Sequence, residues 1–449
     1  MFAIPENWNE RTPKEKMDAR FDSWRSPDIE FGGPEAKQAY QQRVQMVKDV
    51  TELKKPERIP IIPWFGVYPA EYGGITAQEA MYDYEKLGRA WRKFNTDFLP
   101  DGLASAALMG PGNVFEMLDY KIYHWPGHGT PANTSYQCIE GEYMTADEYD
   151  LLIADPSGYF MRNYLPRAFG ALGPWQMLGP LTDIIELPFV GLGLIPTGIP
   201  PVQAAFKIFL EAGQAVMEWI SAVGPIDGAA IATLGIPNII GSFTKAPFDI
   251  LGDTMRGTRG IMLDMYRRPG KLLEAMERIA PIAIEMGVRY ATVSDTPMVF
   301  IPLHKGADGF MSNRDFETFY WPTLKAVLLG LIEQGTVPYL FVEGGYNQRL
   351  DIITDPDIPA GHTIWMFDRT DMKEVKQKLD GWACFGGNVP GSMLKTGTPQ
   401  DIENYVKELI DGVAQDGGYI LANGAVLDDT NPENLHALID TGKKYGVYN

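Results

Sequence analysis

Residues Pro338-Tyr-Leu-Phe-Val-Glu-Gly-Gly-Tyr346 decide which fold the chain adopts. A short apolar run with β-branched and aromatic content predicts a buried strand. It delivers a lone carboxylate, Glu343, and two glycines follow at once. Glycine lets the backbone turn and lets a ligand come close, so this strand end predicts a cleft. A carboxylate there needs a proton, a cation or hydrogen-bond donors. The plain alternative is a structural glutamate paired with an arginine.

The same unit recurs on both sides. Upstream, Asn238–Phe243 and Met298–Leu303 are apolar runs, the latter ending in His304. Downstream, Thr363–Phe367 ends in Asp368, Trp382–Phe385 is followed by two glycines and Asn388, and Tyr419–Ala422 ends in Asn423. Arg58–Phe65 supplies a first strand, and Phe94–Leu99 is assigned as the second, closing on Pro100 and Asp101. Helical sequence lies between, at about Thr76–Lys93, Asp264–Met286, Asn313–Gln334, Met372–Leu379, Pro399–Val413 and Pro432–Tyr445. Eight strand-helix units predict an α/β fold of the (β/α)8 TIM barrel type, with its site at the C-terminal rim. A doubly wound open sheet is the alternative, but no glycine-rich phosphate fingerprint follows the first strand. Residues 1–55 form an N-terminal helical extension and 56–449 a single barrel. Within it, 101–235 is a long cap-like insertion between strands 2 and 3.

The charge balance narrows the partners. With 58 acidic against 39 basic side chains the formal net charge is -19, which argues against nucleic acid and anionic membranes. Cys138 and Cys384 stand far apart and suggest neither a disulfide framework nor a zinc cluster. The N-terminus is polar, and the chain reads as cytoplasmic. Leu187–Phe206 carries no charge, but Pro188, Pro196, Pro200 and Pro201 interrupt it. No membrane span is expected, and the stretch is assigned to a buried or substrate-facing insertion, with peripheral membrane contact as the lesser alternative.

Several side chains could serve the cleft. Trp64, Phe65, Tyr68 and Tyr346 would supply flat apolar walls for an aromatic ring, although rim aromatics also serve plain packing. His304 could share a proton with Glu343 or merely cap the next helix. Asn388 and Asn423 could donate to a ligand oxygen, as ordinary turn residues do to backbone. His124 and His128 flank Trp125 in the cap and could line the mouth; Pro126 and Gly127 argue against a helical metal pair. Arg256 and Arg259 could hold a substrate carboxylate or pair with Asp253 at the surface.

Four blocks of sequence resemble the uroporphyrinogen decarboxylase-like superfamily over most of 55–449 apart from the cap. They are Asn238–Phe248 with Met265–Pro269, Gly306–Ser312 with Phe316–Pro322, Phe385–Pro390 with Gly397–Pro399, and Gly417–Asn423 with Pro432–Asn434. The decarboxylases close the first strand with arginines that bind substrate carboxylates, whereas Trp64–Tyr72 contains none. The thiol-activating corrinoid methyltransferases carry zinc on a His-x-Cys pair and a later Cys; the matching positions here are Phe341, Glu343 and Ala425. The resemblance therefore implies the branch that moves a methyl group from methoxylated aromatics to the cobalt of a corrinoid protein, the O-demethylase component of anaerobic systems. Trp125–Gly129 and Glu140–Met144 also resemble that branch. It implies a corrinoid (cobalamin) carried by a partner protein and an aromatic small-molecule substrate, with a homodimer compatible. No resident metal is expected, and zinc on Glu343, His304 and a cap residue is the disfavoured alternative. Glu343 is the expected acid for the departing phenolate, kept protonated by a desolvated pocket. A cofactor-independent decarboxylase is the competing activity.

Overall fold

A computed structural model of the protein describes residues 1–448. Three short strands, Tyr123–Pro126 (β1), Gly129–Thr130 (β2) and Gln137–Cys138 (β3), form a small separate sheet. The main sheet is parallel and runs in chain order through Ser242–Phe243 (β4), Met298–Leu303 (β5), Val337–Val342 (β6), Ile364–Phe367 (β7), Cys384–Gly386 (β8) and Tyr419–Ile420 (β9). Successive residues face opposite sides of a strand, and the packing follows that alternation. Val299, Ile301, Leu303, Leu340 and Val342 pack outward against helices, while Met298, Val337, Tyr339, Phe341 and Met366 pack inward. A strand with both faces covered is a near-continuous apolar run, as β6 is.

The first two barrel positions are irregular. Ile62 N–H donates to Leu421 O at 3.0 Å and Leu421 N–H to Pro60 O at 2.9 Å, setting residues 60–62 beside the last strand. Pro60 and Pro63 have no N–H to give, so a full ladder cannot form there. Asp101 N–H donates to Ile61 O at 2.9 Å and Leu103 N–H to Pro237 O at 3.0 Å. One or two hydrogen bonds at each junction thus link the ends of the six-stranded sheet, an arrangement consistent with a TIM barrel.

The strand expected at Phe94–Leu99 is instead the end of the helix Tyr84–Phe98. Leu87, Ala90, Trp91, Phe94 and Phe98 are all buried, and their spacing of three and four residues is one helical face. Leu99 ends the helix in a left-handed conformation (φ 46°), and residues 101–103 take the second position.

The helices Pro13–Arg25 and Pro34–Thr51 stopper the N-terminal end of the barrel, where Met17, Phe21, Trp24, Val44 and Val47 join the inward core. The segment 101–235 is not one cap. Its last part, the helix Pro200–Leu234, has the length and apolarity of a membrane span, yet it buries Val202, Ala205, Ala212 and Val223 and contacts the helices Tyr84–Phe98 and Pro34–Thr51 as a wall element. The uncharged stretch from Leu187 is not buried, as expected, but exposed: Leu187 is 90%, Leu192 63% and Ile195 60% accessible.

Candidate active site

Strand register places the site. Phe243 lies opposite Phe300, Phe300 opposite Tyr339, and Phe341 opposite Met366. Counting on by two along each strand puts Lys245, His304, Glu343 and Asp368 at the inward positions of the C-terminal rim. One layer below stand aromatic rings. Trp64 packs on Phe341 and Phe300 at centroid distances of 4.8 and 5.4 Å, and Phe243 lies 6.2 Å from Phe300. Phe243, although on a strand, is 42% exposed, so the funnel above it is open.

A cavity of about 460 Å³ occupies this mouth, lined by Phe341, Glu343, Gly344, Asp368, Arg369 and Val426. Its charges form a chain. His304 Nδ1 is 2.6 Å from Asp253 Oδ2, and His304 Nε2 is 3.5 Å from Glu343 Oε1. Lys245 pairs with the same Asp253 oxygen, and Lys305 Nζ stands 3.3 Å from the other. The fully buried Asp249 accepts from the backbone N–H of His304 and Lys305 and from the Tyr320 hydroxyl, which holds the end of β5 rigid.

Burial alone would strip the proton from His304. Hydrogen bonds to Asp253 and Glu343, with the charges of Asp253 and Asp249, override it and push the imidazole up to about 10. Burial would likewise raise Asp253, but the His304 hydrogen bond and Lys245 hold it well below the usual carboxylate range. Asp368 is raised, first by burial and further by the charge of Glu343.

Glu343 itself is 46% exposed, so the desolvated pocket expected around it is not formed. The mouth is not an uncharged pocket, and the stored proton belongs to His304. Because the folded value of His304 lies above its ordinary 6.5, its contribution to stability is complete below that pH and is lost as pH rises to about 10. Asp253→Asn should flatten this alkaline loss and cost about 1–2 kcal/mol below pH 6, less than a fully buried pair because His304 is one-third exposed. Urea unfolding at pH 6 and pH 10 measures both; an unchanged pH dependence would refute the pairing.

The cap contributes from above. Burial first, and then Asp428 and Glu343, raise the Tyr136 hydroxyl, and burial with Asp253 among the nearby charges raises the Tyr123 hydroxyl and the Cys138 thiol. Tyr136 is nonetheless 65% exposed, which places it in the open funnel. Arg256 pins this cap. Its Nε donates to Asp264 at 2.6 Å, and its Nη1 to Glu142 and to Met144 O. It is therefore a tether and not the carboxylate clamp considered from sequence.

The remaining expected residues divide. Trp64 joins the floor, but Phe65 and Tyr68 turn outward and pack on Phe94. Tyr346 is fully buried against Phe316 and is no wall of the mouth, because Gly306 closes over its hydroxyl. His124 lays its ring over Gly129, and His128 pairs with Glu116 at 2.9 Å. Asn388 donates to Thr370 O at 2.8 Å, joining the loop after β7 to the end of β8. Asn423 accepts from Trp64 N–H at 2.8 Å and donates to Trp64 O at 3.0 Å, replacing ladder bonds that the prolines remove. These two amides position backbone and are not free for a ligand. Sequence reading missed Lys245, Asp253, Phe243, Phe300 and Phe341 as site residues; the two-residue period back from His304 and Glu343 was the available signal. Among the described residues no three His, Cys, Asp or Glu side chains are grouped so as to hold a metal ion.

Residues 232–445, a little under half of the chain, match the family model described as uroporphyrinogen decarboxylase (URO-D). Among solved structures the chain is similar to a methyltransferase from Methanosarcina mazei, with a TM-score of 0.56 and 15% identity over 91% of this chain and 98% of that one. At such identity the likeness is one of fold. No curated protein matches the sequence. The family match is thus confined to residues 232–445, and the solved structure shares the fold over most of the chain.

Proposed function

We propose that the protein is a methyltransferase that takes the methyl group of a methoxylated aromatic compound and passes it to the cobalt of a corrinoid protein. The observation that carries this reading is one cavity with Phe341 on its floor and Glu343 in its wall, from which a proton chain runs back to His304 and Asp253. About 460 Å³ suits a substituted single ring. The corrinoid, when its carrier protein is docked, supplies the cobalt nucleophile that accepts the methyl group. The mouth fits such a partner in one respect: it is open above Phe243, and Glu343 is half exposed.

The chain's own task is at the ether oxygen. As the oxygen-to-methyl bond breaks, the electron pair stays on oxygen and a phenolate develops. Phenols and the His304 imidazolium have similar acidities, near 10, so the proton can cross with little penalty. It leaves His304 Nε2, passes along Glu343, which lines the cavity, and ends on the phenol oxygen. Neutral His304 stays hydrogen-bonded to Asp253, with Lys245 and Lys305 balancing that carboxylate. The ring of Phe341, backed from below by Trp64, would meet one face of the substrate and exclude water from that side.

Glu343→Gln is expected to lower turnover roughly 10- to 100-fold, at the low end of the range for proton transfer, because water reaches this half-exposed position and can bridge in its place. Methyl transfer from methoxybenzenes, followed by cobalamin absorbance, measures it; a full rate in the variant would remove Glu343 from the chain. The description of the matched family favours one second reading, cofactor-independent decarboxylation. Carbon dioxide release from an aromatic acid with no corrinoid present would select it over methyl transfer.

A further inference from the structure

The barrel wall has a seam. Residues 101–103 and the irregular segment leading to β4 are joined by the Leu103 to Pro237 hydrogen bond and then diverge. A cavity of about 280 Å³ lies in the gap, bounded by Ile62, Trp64, Tyr339 and Ile239 on the inside and by Val223 and Asp227 of the helix Pro200–Leu234 on the outside. Trp64 is a shared wall. One side of its ring meets Phe341 of the mouth, while it stacks on Tyr339 at 5.2 Å and 27° in the seam.

Two features separate this space from a packing fault. First, Trp64 Nε1 and Tyr339 Oη are buried hydrogen-bond donors with no partner among the described residues, and the two side chains are only 6% and 1% exposed. Buried donors are rarely left unpaired, because each unmet group costs a large part of a hydrogen bond. Second, the helix over the gap carries Gly224 and Pro225, both poor choices for a helix interior. A side chain at Gly224 would meet nothing within 4 Å, so the thin wall leaves room at the outer opening. Asp227 accepts from the Ser105 hydroxyl and from Ala106 N–H, which pins the helix to residues 105–106 and sets a carboxylate at the rim.

We propose that the seam is a second binding site, for a neutral one-ring molecule bearing a single hydrogen-bond acceptor. The ring would take the apolar space, and the acceptor would meet Trp64 Nε1 and Tyr339 Oη. An apolar cavity of roughly 150 Å³ holds benzene, so about 280 Å³ accommodates a ring with a small substituent. The carboxylate of Asp227 disfavours anions. This site is independent of the reaction read at the mouth and would exist whichever chemistry runs there.

Acetophenone and ethylbenzene are matched probes, one with an acceptor and one without. Calorimetric titration of the full chain should show acetophenone binding several-fold tighter, and crystals soaked with it should place the carbonyl oxygen within hydrogen-bond distance of Trp64 or Tyr339. Tyr339→Phe should weaken acetophenone roughly 3- to 10-fold and leave ethylbenzene unchanged, the effect of one lost hydrogen bond. Gly224→Leu, its fold verified by unchanged circular dichroism, should remove both probes from the seam in soaked crystals while leaving any binding at the mouth in place. The proposal is overturned if ordered waters satisfy both donors at saturating probe, if Tyr339→Phe affects the two probes equally, or if both probes remain in the seam of Gly224→Leu.

Discussion

His304→Gln is expected to lower methyl transfer by roughly 10²- to 10⁴-fold, the span that a positioned proton donor supplies. Glutamine can still hydrogen-bond Asp253, so the charge cluster around Lys245 and Lys305 is retained while the transferable proton is lost. The parent enzyme should carry a signature of the same residue in its pH profile. The active form is protonated, and burial opposed by the Asp253 and Glu343 hydrogen bonds puts the transition at about 10. Activity should therefore hold through neutrality and fall tenfold per unit as pH rises beyond about 10. In His304→Gln that limb should vanish with the rate. In Asp253→Asn it should move to lower pH, since the largest favourable influence on the imidazolium is gone. A variant that keeps both rate and limb would assign the acid elsewhere.

Why His304 and not Glu343 holds the proton was not legible along one strand. The run Pro338–Val342 and the two glycines after Glu343 do mark a strand end at a cleft, and the structure has Glu343 there. Its protonation depended on burial, and burial depends on how far the neighbouring loops rise, which no local pattern records. The compensation of His304 comes from Asp253, 51 residues earlier, on a helix whose own sequence shows only an acidic residue on a turn. The aromatic floor could have been found, because Phe300 and Phe341 precede His304 and Glu343 at even spacing. Phe65 could have been excluded by the same count, because Ile62 and Trp64 face inward and Ile61 and Phe65 outward, whereas Tyr68 and Tyr346 follow strand ends, where the two-residue alternation no longer sets side-chain direction. The error at Phe94–Leu99 was one of period. Its apolar residues continue the three- and four-residue spacing of Leu87, Ala90 and Trp91, and that spacing is helical.

Arg256→Ala should destabilise the protein by about 3–5 kcal/mol, the cost of leaving a buried charge without its partner. Asp264 is fully buried, and Arg256 is 3% exposed. After truncation Asp264 would retain only the Tyr149 hydroxyl at 2.8 Å and the distant, half-exposed Arg268 at 3.7 Å. Arg256→Lys should recover part of the loss, because an ammonium can meet Asp264 but cannot also span Glu142 and Met144 O as the guanidinium fork does. The effect reaches the site through the cap. Without the tether, residues 140–144 lose Glu142 and Met144 as fixed points while the Tyr143 and Met144 backbone bonds to Met255 O, at 2.8 Å, are left to hold them. Tyr136 and Tyr123 pack on each other in the same cap and feel the charges of Glu343 and Asp253, whereas the His304 to Asp253 chain rests on β5 and the helix Pro247–Thr254. A loosened cap should therefore raise KM well before it lowers kcat, and expose residues 140–148 to limited proteolysis. Equal loss in both parameters with an unchanged cleavage pattern would mean that Arg256 acts on the chemistry and not through the cap.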